Sequence, residues 1–279
     1  MTLEGTSLGA PGSVARRVQV PAGLAPLREG PYLVRFANDE TDLERVLELR
    51  FEVFNRELGE GLAASWRTGR DQDRFDLQCH HLMLIEVASG AVVGTYRLQT
   101  AREAAAGAGF YCAGEFELAP LAPLMGRGVE LGRACIAKQH RHGSALFALW
   151  RGLAAYLAWS RSRYLFGCCS LTSQDPRDGL ALAAGLEREG HVDPRFAVAP
   201  LPALRCLDPR PDEALPEVPL PKLFCTYLRY GAKVVSAPAL DREFGTIDFL
   251  VVLDARGLPL RLWRLFFQGL LGSPAEILE

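Results

Sequence analysis

The stretch VELGRACI, residues 129–136, has the composition of a buried strand yet carries two opposite charges, Glu130 and Arg133. Val129, Leu131, Cys135 and Ile136 suit a sheet interior, where a charge without partners is strongly destabilising. In a regular strand, positions 130 and 133 point to opposite faces. Gly132 between them offers a bulge, which adds one residue and brings both side chains to one face. A bulge also releases backbone N–H groups from the ladder, where a carbonyl oxygen can use them. The stretch therefore predicts a strand interrupted to build a site.

Other apolar segments carry stranded charges too. Leu43, Val46, Leu47, Phe51, Phe54 and Leu58 recur at helical spacing, which predicts a helix that Gly59 ends. Arg50 falls inside that stripe. The segment GRDQDRFDLQCHHL, residues 69–82, supplies Asp71, Asp73 and Asp76, then His80 and His81 at the mouth of the next strand. Arg97 lies in the core-like VVGTYRLQ, residues 92–99, sharing a face with Val93 and Thr95 by regular alternation. Together these charges predict a pocket holding Glu130, Arg133, Arg97, Arg50 and the Asp73/Asp76 pair.

The chain has 279 residues, 49% hydrophobic and 23% charged, with a formal net charge of −2. That is a globular composition with no global field for nucleic acid or anionic lipid. Lysine occurs only at 138, 222 and 233. The arginine-rich remainder suits capture of carboxylate or phosphate, and equally a coding bias. Seven cysteines show no C-x-x-C spacing, and Cys168 and Cys169 are adjacent. Reduced thiols in a cytoplasmic chain are expected, without leader or spanning segment.

Residues 1–30 read as a loosely attached tail and 31–279 as one domain. Strands are expected at 32–37, 80–88, 91–99, 128–138, 164–171, 233–236 and 245–254, with Ser89-Gly90 as a hairpin turn. After the first helix, others are expected at 144–161, 222–230 and the C-terminal end, where Leu258, Leu262, Leu265 and Phe266 form a stripe. AAAGAG, 104–109, reads as a flexible connection, and the proline-rich stretch 194–221 as a long surface excursion. The order of elements implies an α/β fold with a mixed sheet.

Six segments in order, LRFEVFNRELG (49–59), DRFDLQCHHLML (73–84), VGTYRL (93–98), ELGRACI (130–136), YLFGCCSL (164–171) and FGTIDFLVVLD (244–254), resemble the ornithine-lipid class of N-acyltransferases. The resemblance covers roughly residues 32–268. It implies a GNAT-like fold, a mixed and mostly antiparallel sheet flanked by helices. It also implies transfer of a (3-hydroxy)fatty acyl group from acyl carrier protein to the α-amine of an amino acid. Ornithine is the foremost acceptor, giving lyso-ornithine lipid; glycine or another amine is the alternative. A more distant resemblance, to acyl-homoserine-lactone synthases, touches Arg50, Phe54, Asp73, Asp76, Arg97 and the E-x-x-R of Glu130 and Arg133. It makes signal synthesis a second enzymatic reading, and a hemolysin-like lipid-binding protein is the non-enzymatic one.

Glu130 is then the expected proton acceptor, with Arg133 or Arg97 holding the substrate carboxylate. GNAT enzymes using coenzyme A carry an (Arg/Gln)-x-x-Gly-x-(Gly/Ala) loop; here HRHGSA, 140–145, has His140 first. Arg141, Gly143, Ser144 and Ala145 are expected to meet the single phosphate of a phosphopantetheine arm. No separate cofactor is expected. An acidic carrier protein calls for a basic surface, with candidates Arg141, His142, Arg151, Arg161 and Arg163, or Arg16, Arg17 and the C-terminal arginines. His80 and His81 lack a partner at ligand spacing, so no metal is expected, and Cys168 and Cys169 read as core rather than nucleophiles. The C-terminal helix, with Trp263, Phe266 and Phe267, either closes the core or lies on the inner membrane as a peripheral contact.

Overall fold

The computed structural model describes residues 18–208, 210 and 212–271. Residues 1–17 of the expected tail, including Arg16 and Arg17, lie outside the described residues. The strands are β1 Leu27–Glu29, β2 Tyr32–Phe36, β3 His80–Glu86, β4 Val92–Thr100, β5 Gly128–Ile136, β6 Tyr164–Leu171, β7 Lys233–Val234, β8 Ala239–Asp241 and β9 Thr246–Asp254. They form one sheet in the order β1-β2-β3-β4-β5-β6-β9-β7, with β8 paired to β9. Only β5 and β6 run parallel; the other pairs are antiparallel. The helices are α1 Glu40–Phe51, α2 Ser65–Thr68, α3 Ala101–Ala106, α4 Ala122–Met125, α5 Gly143–Ser160, α6 Pro176–Arg188, α7 Lys222–Arg229 and α8 Leu260–Phe267.

The apolar stripes explain the layers. Leu149, Leu153, Ala154 and Leu157 of α5 pack on Tyr32, Val34, Leu82 and Leu84, each large side chain contributing about 1.5–3 kcal/mol on burial. Gly152 lets α5 settle close, since a Cβ there would meet Val34 Cγ1 at 2.7 Å. Leu43, Val46 and Leu47 of α1 cover Met83 and Ile85. Asp39 starts α1 by accepting from the Asp42 amide at 2.9 Å.

Several expectations need correction. Leu27–Glu29 is a strand within the stretch read as tail, and β1 pairs residue for residue with β2. The first helix does not run regularly to Gly59: it widens into a π-helix over Glu52–Leu58, and Gly59 then ends it in the left-handed region (φ 71°). AAAGAG is half helix, because Thr100 and Glu103 form a reciprocal cap for α3. α6 was not anticipated; Asp175 caps it and Pro176 opens it. The C-terminal helix closes the core. Trp263, Phe266 and Phe267 are buried and Leu265 is exposed. Arg151, midway along α5, bonds Glu29 at 2.9 Å and the carbonyls of Phe266 and Gln268 at 2.6 and 2.8 Å.

Candidate active site

β5 and β6 pair only at Gly128–Tyr164, Val129–Leu165 and Glu130–Phe166. Beyond Glu130 they part, β5 staying with β4 while β6 continues beside β9 to Leu171. The gap opens a cavity of about 650 Å³ lined by both strands, the π-helix, the start of α5 and α7. Most of its wall is apolar, including Leu146, Trp150, Leu165, Phe224 and Leu253. Backbone groups on the unpaired side of β5 face this space.

The bulge expected in VELGRACI is present. Thr95 lies opposite Cys135 and Arg97 opposite Gly132, so Arg133 and Ala134 share Tyr96 as partner. The left-handed residue is Arg133 (φ 48°), not Gly132. A side chain in that region costs about 1–2 kcal/mol. Its contacts offset this: the guanidinium sits 4.3 Å from the Phe244 ring centroid and 4.9 Å from that of Tyr111, with Nη2 3.1 Å from Asp73.

Arg50, Arg97 and Arg133 share the aspartates of the 69–82 segment. Arg50 donates to Asp71 and Asp76, each at 2.7 Å. Arg97 Nη1 donates to Asp73 at 2.6 Å and Asp76 at 3.0 Å. Burial alone would raise the Asp73 and Asp76 carboxyls; the arginines overcome it and hold both below the usual carboxylate range. Arg97 and Arg133 line the cavity, whereas Arg50, Asp73 and Asp76 do not, and Arg50 is fully buried. The three residues expected to bind substrate form instead a layer behind the wall that fixes the two guanidiniums lining it. Phe54 does line the cavity, packed edge-on against Phe244 at 5.4 Å.

Glu130 lines the cavity and does not pair with the arginines. It accepts from Gln99 Nε2 at 2.5 Å and the Tyr111 amide at 2.9 Å through Oε2, and from the Cys112 amide at 2.8 Å through Oε1. Three N–H donors fix its orientation, and the Cys112 thiol is a further hydrogen-bonding neighbour. Arg97 Nη2 is buried and has no hydrogen-bond partner.

Of the expected phosphate loop, Arg141 and Gly143 line the cavity with His142. Ser144 and Ala145 do not: the Ser144 hydroxyl meets His142 Nδ1 at 2.8 Å, and Ala145 is buried. Arg141 is bound to Glu57 at 2.5 and 2.7 Å, tying the loop to the π-helix. Arg163 pairs with Asp254. It follows α5, whose eighteen residues separate it from the loop by about 27 Å.

The histidines are core groups. His80 Nδ1 meets the Tyr156 hydroxyl at 2.8 Å and His81 Nε2 the Asp76 carbonyl at 2.8 Å. Burial lowers both to about 4. Burial, then the nearby Glu115 and Asp248 carboxylates, push the Cys168 thiol well up, which keeps it protonated and unreactive. Glu115, Cys168 and Asp248 bring their ligand-type atoms within 4.8 Å of one another. Gln99, Tyr111, Glu60, Glu115 and Asp248 were missed by sequence reading. Asp248, a charge in the apolar strand TIDFLVVLD, met the criterion that found Arg97. Glu60 and Glu115 sit in irregular segments without a periodic signal.

Residues 49–151 match a family model described as an acetyltransferase (GNAT) domain. The L-ornithine N(alpha)-acyltransferase of Brucella abortus is 32% identical over 250 residues, 84% of this chain and 88% of that protein. The chain belongs to the L-ornithine N(alpha)-acyltransferase family. The family member from Rhodobacter capsulatus is likewise 32% identical, over 81% of this chain and 91% of its own. Among solved structures, the AHL synthase LasI aligns with a TM-score of 0.47 at 14% identity, over 87% of this chain and 98% of that one. The fold is the GNAT acyltransferase fold, and this family member is an acyltransferase. Among the described residues, no helix is long and apolar enough to cross a membrane.

Proposed function

We propose that the chain transfers a fatty acyl group, 3-hydroxylated by preference, from acyl carrier protein to the α-amine of ornithine, giving lyso-ornithine lipid. One observation carries this reading: Glu130 and the two arginines Arg97 and Arg133 line one largely apolar cavity between parting strands. Ornithine as acceptor comes from the names of the relatives.

The α-carboxylate would meet the guanidinium of Arg133 or Arg97, the two arginines lining the cavity, a charge-assisted contact. Glu130 takes a proton from the α-ammonium, directly or through one water, and the freed nitrogen attacks the thioester carbonyl. Backbone N–H groups of the opened β5 edge stabilise the oxyanion. Attack forms the C–N bond, and collapse of the tetrahedral intermediate breaks the C–S bond; of the two protons the nitrogen gives up, one goes to the departing thiolate and the other leaves to solvent through Glu130. The apolar wall takes the acyl chain. Arg141 and the first amides of α5 would receive the phosphate of the pantetheine arm, with the carrier protein docked beside them. This chemistry belongs in the cytoplasm. Contact with the inner membrane would fall to the exposed Leu260 and Leu265 of α8.

The test mixes purified protein with acyl-loaded carrier protein, or with the same acyl group on coenzyme A, and a panel of amino acids. Thiol release and an N-acylornithine mass are expected with the carrier protein. Absence of thiol release with every amine tried would overturn the reading, and release only with S-adenosylmethionine would replace it by signal synthesis.

A further inference from the structure

One end of the cavity is acidic. Glu60, just past the π-helix, and Asp248, in β9, both line it and both are buried. Glu115 stands with them, 3.6 Å from the Cys168 sulfur, and Asp241 lies 3.4 Å from the Tyr111 hydroxyl. Among the described residues, none of these four carboxylates has a cationic partner within ion-pair distance. Among the described residues, buried Asp248 Oδ1 and Glu115 Oε1 meet no N–H donor, and the two carboxyls stand close enough to share a hydrogen bond only when one of them is protonated. Such acceptors are costly where nothing meets them. Burial, reinforced by their mutual repulsion, pushes Glu60, Glu115 and Asp248 above the usual carboxylate range.

Tyr111 connects this end to the rest of the site. Its ring carries the Arg133 and Arg97 guanidiniums at 4.9 and 5.4 Å. Its amide holds Glu130 and its hydroxyl reaches toward Asp241. An amino acid lying along that ring would have arginine at its carboxylate, Glu130 at its α-amine and the acids at the tip of its side chain.

We propose that this acidic end binds the side-chain ammonium of the acceptor, with Glu60 and Asp248 as its anionic partners and Glu115 supporting Asp248. The inference rests on the acyl-transfer reading and adds what makes the enzyme select a diamino acid. An ammonium brings three donors to acceptors that are otherwise unmet. A neutral side chain of the same length leaves them buried and unpaired, which is how polar sites reject analogues that lack a polar group.

The experiment compares L-ornithine with L-norvaline, which has the same carbon skeleton without the side-chain amine, in the wild-type protein and in Asp248→Asn and Glu60→Gln. Wild type should favour ornithine on the order of 100-fold in kcat/KM. The variants should lose at least tenfold of that preference through a raised ornithine KM. Calorimetric titration of both amino acids without donor gives the same comparison if a variant turns over slowly. Equal use of norvaline by wild type would overturn the inference while leaving acyl transfer standing. Unchanged preference in both folded variants would also overturn it. So would a stoichiometric divalent metal in the purified protein, held at Glu115, Cys168 and Asp248 and lost in Glu115→Gln. Acylation of no amino acid at all would instead strike the proposed function, and titration would still report on the acidic end.

Discussion

The carbonyl oxygen of Leu131 lies against Gly167 so closely that a Cβ at 167 would sit 2.1 Å from it. This contact lies immediately past the last parallel pair, Glu130–Phe166, at the point where the cavity begins. A methyl there must push β5 from β6 over the paired residues or shift the wall. Gly167→Ala should cost about 1–3 kcal/mol, in the range of core overpacking, read as a lower denaturant midpoint. Its activity should fall further than its stability alone accounts for.

Glu130→Gln should lower kcat by at least about 100-fold, the ordinary scale of a lost general base. It is not structurally silent. Both carboxylate oxygens accept from N–H groups, so the amide nitrogen of glutamine must face a donor, at a cost of about 1–3 kcal/mol. Rates measured well below the variant's melting temperature separate the two effects. Near-normal kcat would remove Glu130 from its role.

Arg50→Met should destabilise by about 3–5 kcal/mol, because it removes one cation from a buried network and leaves Asp71 and Asp76 to Arg133 and Arg97 alone. The pH dependence follows from the same layer. Asp73 and Asp76 have folded values below their unfolded ones. Their contribution is therefore complete at neutral pH and is lost as pH falls below about 4, where the unfolded carboxyls take up protons. Urea titrations at pH 7 and pH 3 should show that loss in wild type and a smaller one in Arg50→Met.

Asp248→Asn should have the opposite sign in the free protein. Burial and neighbouring carboxylates raise Asp248, Glu115 and Glu60, so removing one charge relieves repulsion. Melting without substrate should rise by about 2–4 °C for each kcal/mol relieved. The gain should shrink as pH is lowered, since raised carboxyls in wild type then become neutral as well. An unchanged or lower melting temperature at pH 8 would contradict this account of the acidic end.

The sheet was legible because alternation and apolar runs survive in sequence. YLFGCCSL became β6 over the predicted residues, and charges inside apolar segments did locate Arg97, Glu130 and Arg133. Which charges face the cavity was not legible. Arg50 and Arg97 look alike by periodicity, yet one is enclosed by Asp71 and Asp76 while the other keeps a free Nη2. The bulge was foreseen at Gly132 on backbone freedom. Ring contacts from Tyr111 and Phe244, both remote in sequence, let Arg133 take the left-handed position instead. The acidic end joins residues 60, 115 and 248 from three distant segments, and only the fold brings them together. α6 was hidden by Gly179 and Gly185, which weaken helix propensity.

Arg151 holds Glu29 of β1 and the last carbonyls of α8 on a single guanidinium. Among the described residues, the first strand and the last helix are thereby latched together from the middle of the chain. Removing either element should therefore loosen the other, as a fall in the melting temperature of the remaining fold would show.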